Sequence, residues 1–221
     1  MKKLLTLGLL ALSLVSARAT TVIVTTGSPA VPIKLMTTSG QAGTAVSSGI
    51  VRVGVITNAN VTEAMLSGDA KLSDVASRLF FLGAGGNTGT STISLSNGAI
   101  SGSIAGFLPS GQEYASKQMY VLIAQTADLA TATDATPWAL VKVPDTTSAL
   151  WNTGAANSGT KTLSMVTVGA SGVALHGKFE NDNVVNAVTG IVLTPSSVVP
   201  EPSIALLVGL TGLAGFRRRR A

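Results

Sequence analysis

The stretch Met119-Tyr120-Val121-Leu122-Ile123-Ala124 constrains the fold more than any other. Successive side chains on a strand point to opposite faces of the sheet. Six apolar side chains in a row therefore leave neither face of such a strand free to meet water. This is the pattern of a central strand covered on both sides.

The rest of the body reads as shorter strands separated by Gly, Asn, Ser and Pro turns. Val22–Thr26 opens the series, and Thr37–Gly49 is rich in Ser, Thr and Gly and reads as a loop. Ile50–Thr57 follows with Val51, Val53 and Val55 on one face at period two. Further strands are expected at Thr92–Leu95, Ala99–Phe107, Trp138–Val143, Lys161–Val168, Gly172–Phe179 and Val188–Leu193. One segment breaks the period. Leu72, Val75, Ala76, Leu79 and Phe80 fall at helical spacing and make one apolar face. Ser67, Asp69 and Ser73 are candidate N-caps and Gly83 a candidate stop. The pattern predicts a mainly β body, an antiparallel β-sandwich or jelly roll with one short amphipathic helix packed on a sheet.

Charge bears on partners only after the two ends are set apart. The formal net charge is +5 and the sequence pI about 9.8. Seven of the 15 Lys+Arg residues, however, are Lys2, Lys3, Arg18 and Arg217 to Arg220. Eight basic and nine acidic residues remain between Thr20 and Val199, a body near neutrality with no basic stripe for nucleic acid. Its charged fraction, about 9%, compares with about 25% in ordinary globular domains. Cysteine is absent, so no disulfide supports the fold, and about 180 residues suffice to bury a core without one.

Both ends carry apolar segments flanked by positive charge. Met1-Lys2-Lys3 precedes a mainly apolar h-region of twelve residues, Leu4 to Val15, and Ala17-Arg18-Ala19 offers the small-x-small pattern of signal cleavage. Residues 1–19 are therefore expected to be a secretory signal helix that is removed, with cleavage read from Ala17 and Ala19. At the other end, Ser203 to Phe216 carries no charge over fourteen residues. As a helix it would reach about 21 Å, a short transmembrane span that snorkelling arginines extend. Arg217, Arg218, Arg219 and Arg220 form a basic stop, which favours the cytoplasmic side. A GPI-type tail would instead stay apolar to its end. A buried core helix would have to stop abruptly in solvent at the arginines.

In that order, Val199-Pro200-Glu201-Pro202-Ser203, a Gly/Leu-rich span and four arginines resemble the PEP-CTERM sorting signal of Gram-negative bacteria that make exopolysaccharide. The resemblance covers roughly the last 22 residues, 200–221, with Pro200, Glu201 and Pro202 as the motif. It implies recognition by an exosortase, a membrane protein with a cysteine transpeptidase-like site, and processing near the motif. The implied organisation is a signal peptide at 1–19, a β-rich extracellular domain at 20–193, a linker at 194–199 and the sorting signal beyond it. The implied route is export through the inner membrane, transient anchoring there, and delivery to the cell surface or extracellular polymer.

Little in the body points to catalysis. His176 is the only histidine, so a histidine-rich zinc site is excluded and a Ser-His-Asp triad has one base to offer. Its alternating setting, Val173 to Phe179, reads as a strand position. Ser158 and Lys161 fit SxxK but lack the companion motifs. Gly83 to Gly89 has neither the third glycine of a dinucleotide loop nor the Lys-Ser/Thr of a P-loop. Tyr114 and Lys117 are three apart, short of a dehydrogenase's four. Glu180-Asn181-Asp182-Asn183 gathers oxygen ligands without EF-hand spacing and reads as a turn. Glu63, Asp69 and Asp74 flank a helix start, where the dipole accounts for acids. Asn60-Val61-Thr62 is a formal glycosylation sequon.

The expectation is a non-enzymatic exported protein with no metal or cofactor. Its partners would be an exosortase, the inner membrane and exopolysaccharide, and not nucleic acid. A carbohydrate-binding module is the alternative, with Trp151 as the exposed aromatic platform and Trp138 in the core. A hydrolase built on His176 and the acids comes third.

Overall fold

The structure is a computed structural model that describes residues 20–26, 32–36, 42–84, 89–107, 113–114, 117–143, 160–164, 173–181 and 188–196. It is mainly β, with three sheets and one α-helix among the described residues.

The central sheet is built around β10, Met119–Ala124, whose six residues are all buried. β10 pairs antiparallel with β4, Ser48–Val55, on one side and with β11, Trp138–Lys142, on the other. β13, Val173–His176, extends the sheet beyond β11. The far edge of β4 is shared. Its start pairs with β7, Ser94–Ser96, and its end with β5, Phe80–Phe81. β8, Ala99–Ser101, closes that side through a hairpin with β7. Asn97 and Gly98 form the two-residue loop, both at positive φ, the conformation that matches the twist of paired strands.

Two four-stranded sheets pack on one face of this sheet. The first has the order β12 (Thr160–Ser164), β1 (Thr20–Thr25), β9 (Ser103–Phe107), β6 (Thr90–Ser91). The second has the order β14 (Lys178–Asn181), β15 (Val188–Leu193), β2 (Ile33–Met36), β3 (Ala42–Ala45). Val22, Val24 and Leu163 from the first, and Ile33, Ile191 and Leu193 from the second, share a core with Val51, Val53, Val121, Ile123 and Val141. The opposite face of the central sheet presents Tyr120, Leu122, Trp138 and Leu140. It is covered by a 3-10 turn, Glu63–Leu66, and by α1, Leu72–Arg78. The period of two along β10 thus sends alternate residues into two different cores, which is why neither face is polar.

Several expectations need correction. The sheets are not purely antiparallel, since β1 pairs parallel with β12 and β2 parallel with β15. These partners lie far apart in sequence, and local patterning carries no information on their direction. Part of the segment read as a loop, Thr37–Gly49, forms β3 and the start of β4; β3 lies at the edge of its sheet, where a sequence poor in large apolar residues is tolerated. The long strand expected at Ala99–Phe107 breaks at Gly102, and that at Gly172–Phe179 breaks at Gly177.

The helix packs on the sheet as its stripe predicts, but it is shorter. Its N-cap is Lys71, with extended backbone and no side-chain cap bond, so Ser67, Asp69 and Ser73 do not cap it. Gly83 does not end it either. The chain turns extended at Leu79 and passes directly into β5, so Phe80 faces the three-sheet core rather than continuing the helical face.

Candidate functional site

Two polar clusters that the fold brings together lie on the helix-covered face of the central sheet. There β11 presents Trp138, Leu140 and Lys142 in sequence, and its two ends are pinned by separate clusters.

At the Lys142 end, Tyr120 is the cross-strand neighbour of Lys142, and Glu63 reaches both from the 3-10 turn above. The Tyr120 hydroxyl donates to Glu63 Oε1 at 2.8 Å, and Lys142 Nζ lies 2.6 Å from the same oxygen. Burial opposes the charge on Glu63, but the Lys142 and Tyr120 hydrogen bonds and the Lys142 charge outweigh it and hold the carboxyl below its usual range. Burial, followed by the donation to Glu63, pushes the Tyr120 phenol well above the usual tyrosine range. The tyrosine therefore stays a neutral donor. The cluster ties the covering segment to the sheet.

At the Trp138 end, the chain turns a corner between two sheets. Gly177 separates β13 in the central sheet from β14 in the next, at φ +76°. A Cβ there would lie 2.8 Å from both the Ala139 Cβ and the Val192 carbonyl oxygen. The chain then returns through β15. Thr194 bridges antiparallel to Trp138, its N–H donating to the Trp138 carbonyl at 3.0 Å and its carbonyl accepting from the Trp138 N–H at 2.9 Å. The indole Nε1 donates to Ser196 Oγ at 3.1 Å, and both residues are buried.

His176 completes this corner. It is 7% exposed and lies flat on the Trp138 indole. Its Nδ1 is 3.3 Å from the Gly68 carbonyl oxygen, and its Nε2 is 2.9 Å from the Thr194 hydroxyl. The Nε2 also lies 3.1 Å from the Thr194 carbonyl oxygen, so both ring nitrogens face a carbonyl that only accepts, and the Thr194 hydroxyl donates to or accepts from Nε2 according to the tautomer. Burial lowers the His176 pKa. Hydrogen bonds to the Thr194, Gly68 and Pro195 backbone and the charge of Asp69 oppose it without reversing the direction. The histidine–hydroxyl pair has the spacing of a base and a nucleophile, yet the imidazole is closed in by the indole and two backbone segments. Its geometry is that of a structural residue.

The remaining candidates are dispersed. Tyr114 is buried and stacks on Phe80 with ring centroids 5.5 Å apart, and its carbonyl accepts from the Lys117 N–H at 3.4 Å. Glu180 forms an ion pair with Lys34 at 2.7 Å across the sheet, while Asp182 and Asn183 lie outside the described residues. Asp74 sits in the first turn of α1, where its charge favours the helix. Asn60 and Thr62 are exposed on the loop after β4. No cluster of three or more His, Cys, Asp or Glu capable of holding a metal occurs among the described residues.

Trp138 is fully buried, as the sequence suggests. Trp151, Ser158, Ala17, Ala19, Pro200, Glu201, Pro202 and Arg217 to Arg220 lie outside the described residues, as does the Ser203–Phe216 span. Among the described residues no helix is long and apolar enough to cross a membrane.

Sequence reasoning missed both sets, Tyr120 and Lys142 with Glu63, and Thr194 and Ser196 with Trp138 and His176. Two signals were present. A phenol in an otherwise apolar strand needs a partner, and Lys142 is the lone charge on an otherwise apolar strand. The partners themselves come from distant segments. Compared with protein families, curated proteins and solved structures, the chain matches none.

Proposed function

We propose that this chain is an exported, non-enzymatic surface or matrix protein that carries a PEP-CTERM sorting signal and is processed by an exosortase. The observation that carries this reading is the three-part order at 200–220: Pro200-Glu201-Pro202, an uncharged span, and four arginines. Any one part alone is common. Together, on a chain with a positive n-region, an apolar h-region and an Ala-x-Ala site, they describe one topology, with the body outside and the arginines in the cytoplasm.

The body suits that destination. It has few charges, no cysteine and a surface supplied by Ser, Thr, Asn and Gly. In this reading it is a β-sandwich whose polar clusters serve the fold, and its association is with exopolysaccharide at the cell surface.

Truncation before Val199 and replacement of Pro200-Glu201-Pro202 by alanines provide the test. Both variants should lose membrane retention and the processed form in the producing cell. Fractionation identical to that of the full chain would refute the reading.

A further inference from the structure

The segment Thr194–Ser196 was expected to begin a free linker, but it is bound to the body. Trp138 holds it by both backbone groups of Thr194 and by its indole N–H to Ser196, and His176 holds the Thr194 hydroxyl. Only Ser197, Val198 and Val199 then separate Ser196 from Pro200. Four Cα steps span at most about 14 Å. A body of about 180 residues has a radius of gyration of about 16 Å. The tether is therefore shorter than the radius of the domain that it carries.

We propose that Trp138 and His176 act as positioning residues: they clamp the exit strand and hold the sorting motif so close to the body that its access to a processing enzyme depends on the clamp. This inference rests on the sorting reading above. Release of Thr194–Ser196 moves the last anchor back to Leu193 and extends the reach to about 25 Å, enough for a second protein to enter between body and motif. The opening is local. It breaks a bridge at the margin of the fold and leaves β15 paired with β2 and β14, the kind of low-energy opening that edges of a domain undergo.

The experiment follows conversion of the full chain to its processed form by pulse-chase in the producing cell. Three variants are compared with the parent. The first replaces Pro200-Glu201-Pro202 with alanines. The second inserts a short Gly-Ser segment after Val199, which lengthens the tether without touching the body. The third combines Thr194→Val and Ser196→Ala, which removes both hydroxyl contacts. Amide exchange at Thr194 in the full chain reports the clamp directly.

The alanine variant should abolish processing. The insertion should accelerate it, and the double variant should accelerate it about thirtyfold, the effect of two lost hydrogen bonds on the open fraction. Exchange of the backbone amide at position 194 should rise in the double variant and stay at the parental rate in the insertion variant. Motif-dependent processing at the parental rate in both the insertion and the double variant would overturn the clamp and leave the sorting reading intact. Processing indifferent to the motif, or absent throughout, would overturn both.

Discussion

The imidazole of His176 lies on the indole of Trp138 with ring centroids 3.7 Å apart and planes within 5° of parallel. Burial favours the uncharged imidazole at this position. The pKa of His176 is lowered in the folded state, so the unfolded chain takes up the proton first as pH falls. Stability from this group is complete above about pH 6.5 and is lost as the pH drops below that value toward the folded-state pKa. The urea midpoint should therefore decline as the pH falls below about 6.5, the ordinary histidine value. His176→Phe should flatten the decline. An unchanged slope in that variant would show that the proton binds elsewhere.

The corner at Gly177 should tolerate no side chain. Alanine there meets two penalties, the positive φ and a Cβ 2.8 Å from Ala139 Cβ and the Val192 carbonyl oxygen. Left-handed backbone costs a non-glycine residue about 1–2 kcal/mol, and overpacking adds about 1–3 kcal/mol. Gly68 provides the control, since its φ is +65° but nothing lies within 4 Å of its Cβ position. Gly177→Ala should lose about 2–5 kcal/mol and Gly68→Ala about 1–2 kcal/mol in denaturant unfolding. Equal losses would mean that backbone strain alone matters at the corner.

Tyr120 and Lys142 share Glu63 Oε1 but should differ in energetic weight. The phenol is buried and donates to a carboxylate, so Tyr120→Phe should cost about 1–3 kcal/mol. The Lys142–Glu63 ion pair is partly solvated, with Glu63 41% exposed, so Lys142→Met should cost about 0–1 kcal/mol and less in high salt. Melting of the two variants at low and high ionic strength measures both. A larger loss for Lys142→Met would reverse the assignment of which contact holds the covering segment.

The same clusters show where sequence patterning stops being informative. Period two in Val51, Val53 and Val55, the doubly apolar Met119–Ala124 and the stripe of Leu72, Val75 and Leu79 are local, and each forms the element that its spacing predicts. The stripe also announces its fate, because an apolar face of that width must be covered. Non-local pairing leaves no such trace. Nothing in Val22–Thr26 announces a parallel partner at Thr160–Ser164. Glu63 reads as a helix-start acid by position, although its hydrogen-bond partner Tyr120 is 57 residues away. Likewise His176 in an alternating strand reads correctly as a strand residue, but the strand pattern contains no hint of Trp138 or of Thr194. The left-handed Gly177 divides a pattern that looks continuous because glycine preserves the alternation on either side.

The boundary of the folded body yields the last prediction. The sequence places the end of the domain at Leu193, where the β pattern stops, yet the packed chain continues through Ser196. Thr194 exchanges two backbone hydrogen bonds with Trp138, and Ser196, 4% exposed, accepts from the indole. Removal of these three residues would leave the Trp138 backbone pair and indole N–H without protein partners at a buried position. Each intramolecular hydrogen bond contributes about 1 kcal/mol net, and each buried group left without one costs about 1–3 kcal/mol. A chain ending at Ser196 should therefore be about 2–4 kcal/mol more stable than one ending at Leu193, read from urea midpoints at equal m-value. Ser196→Ala in the longer chain should recover only the indole share, about 1 kcal/mol of that loss. Equal stability of the two truncations would mean that the exit strand adds nothing to the corner, and that Trp138 is held by His176 and the sheet alone.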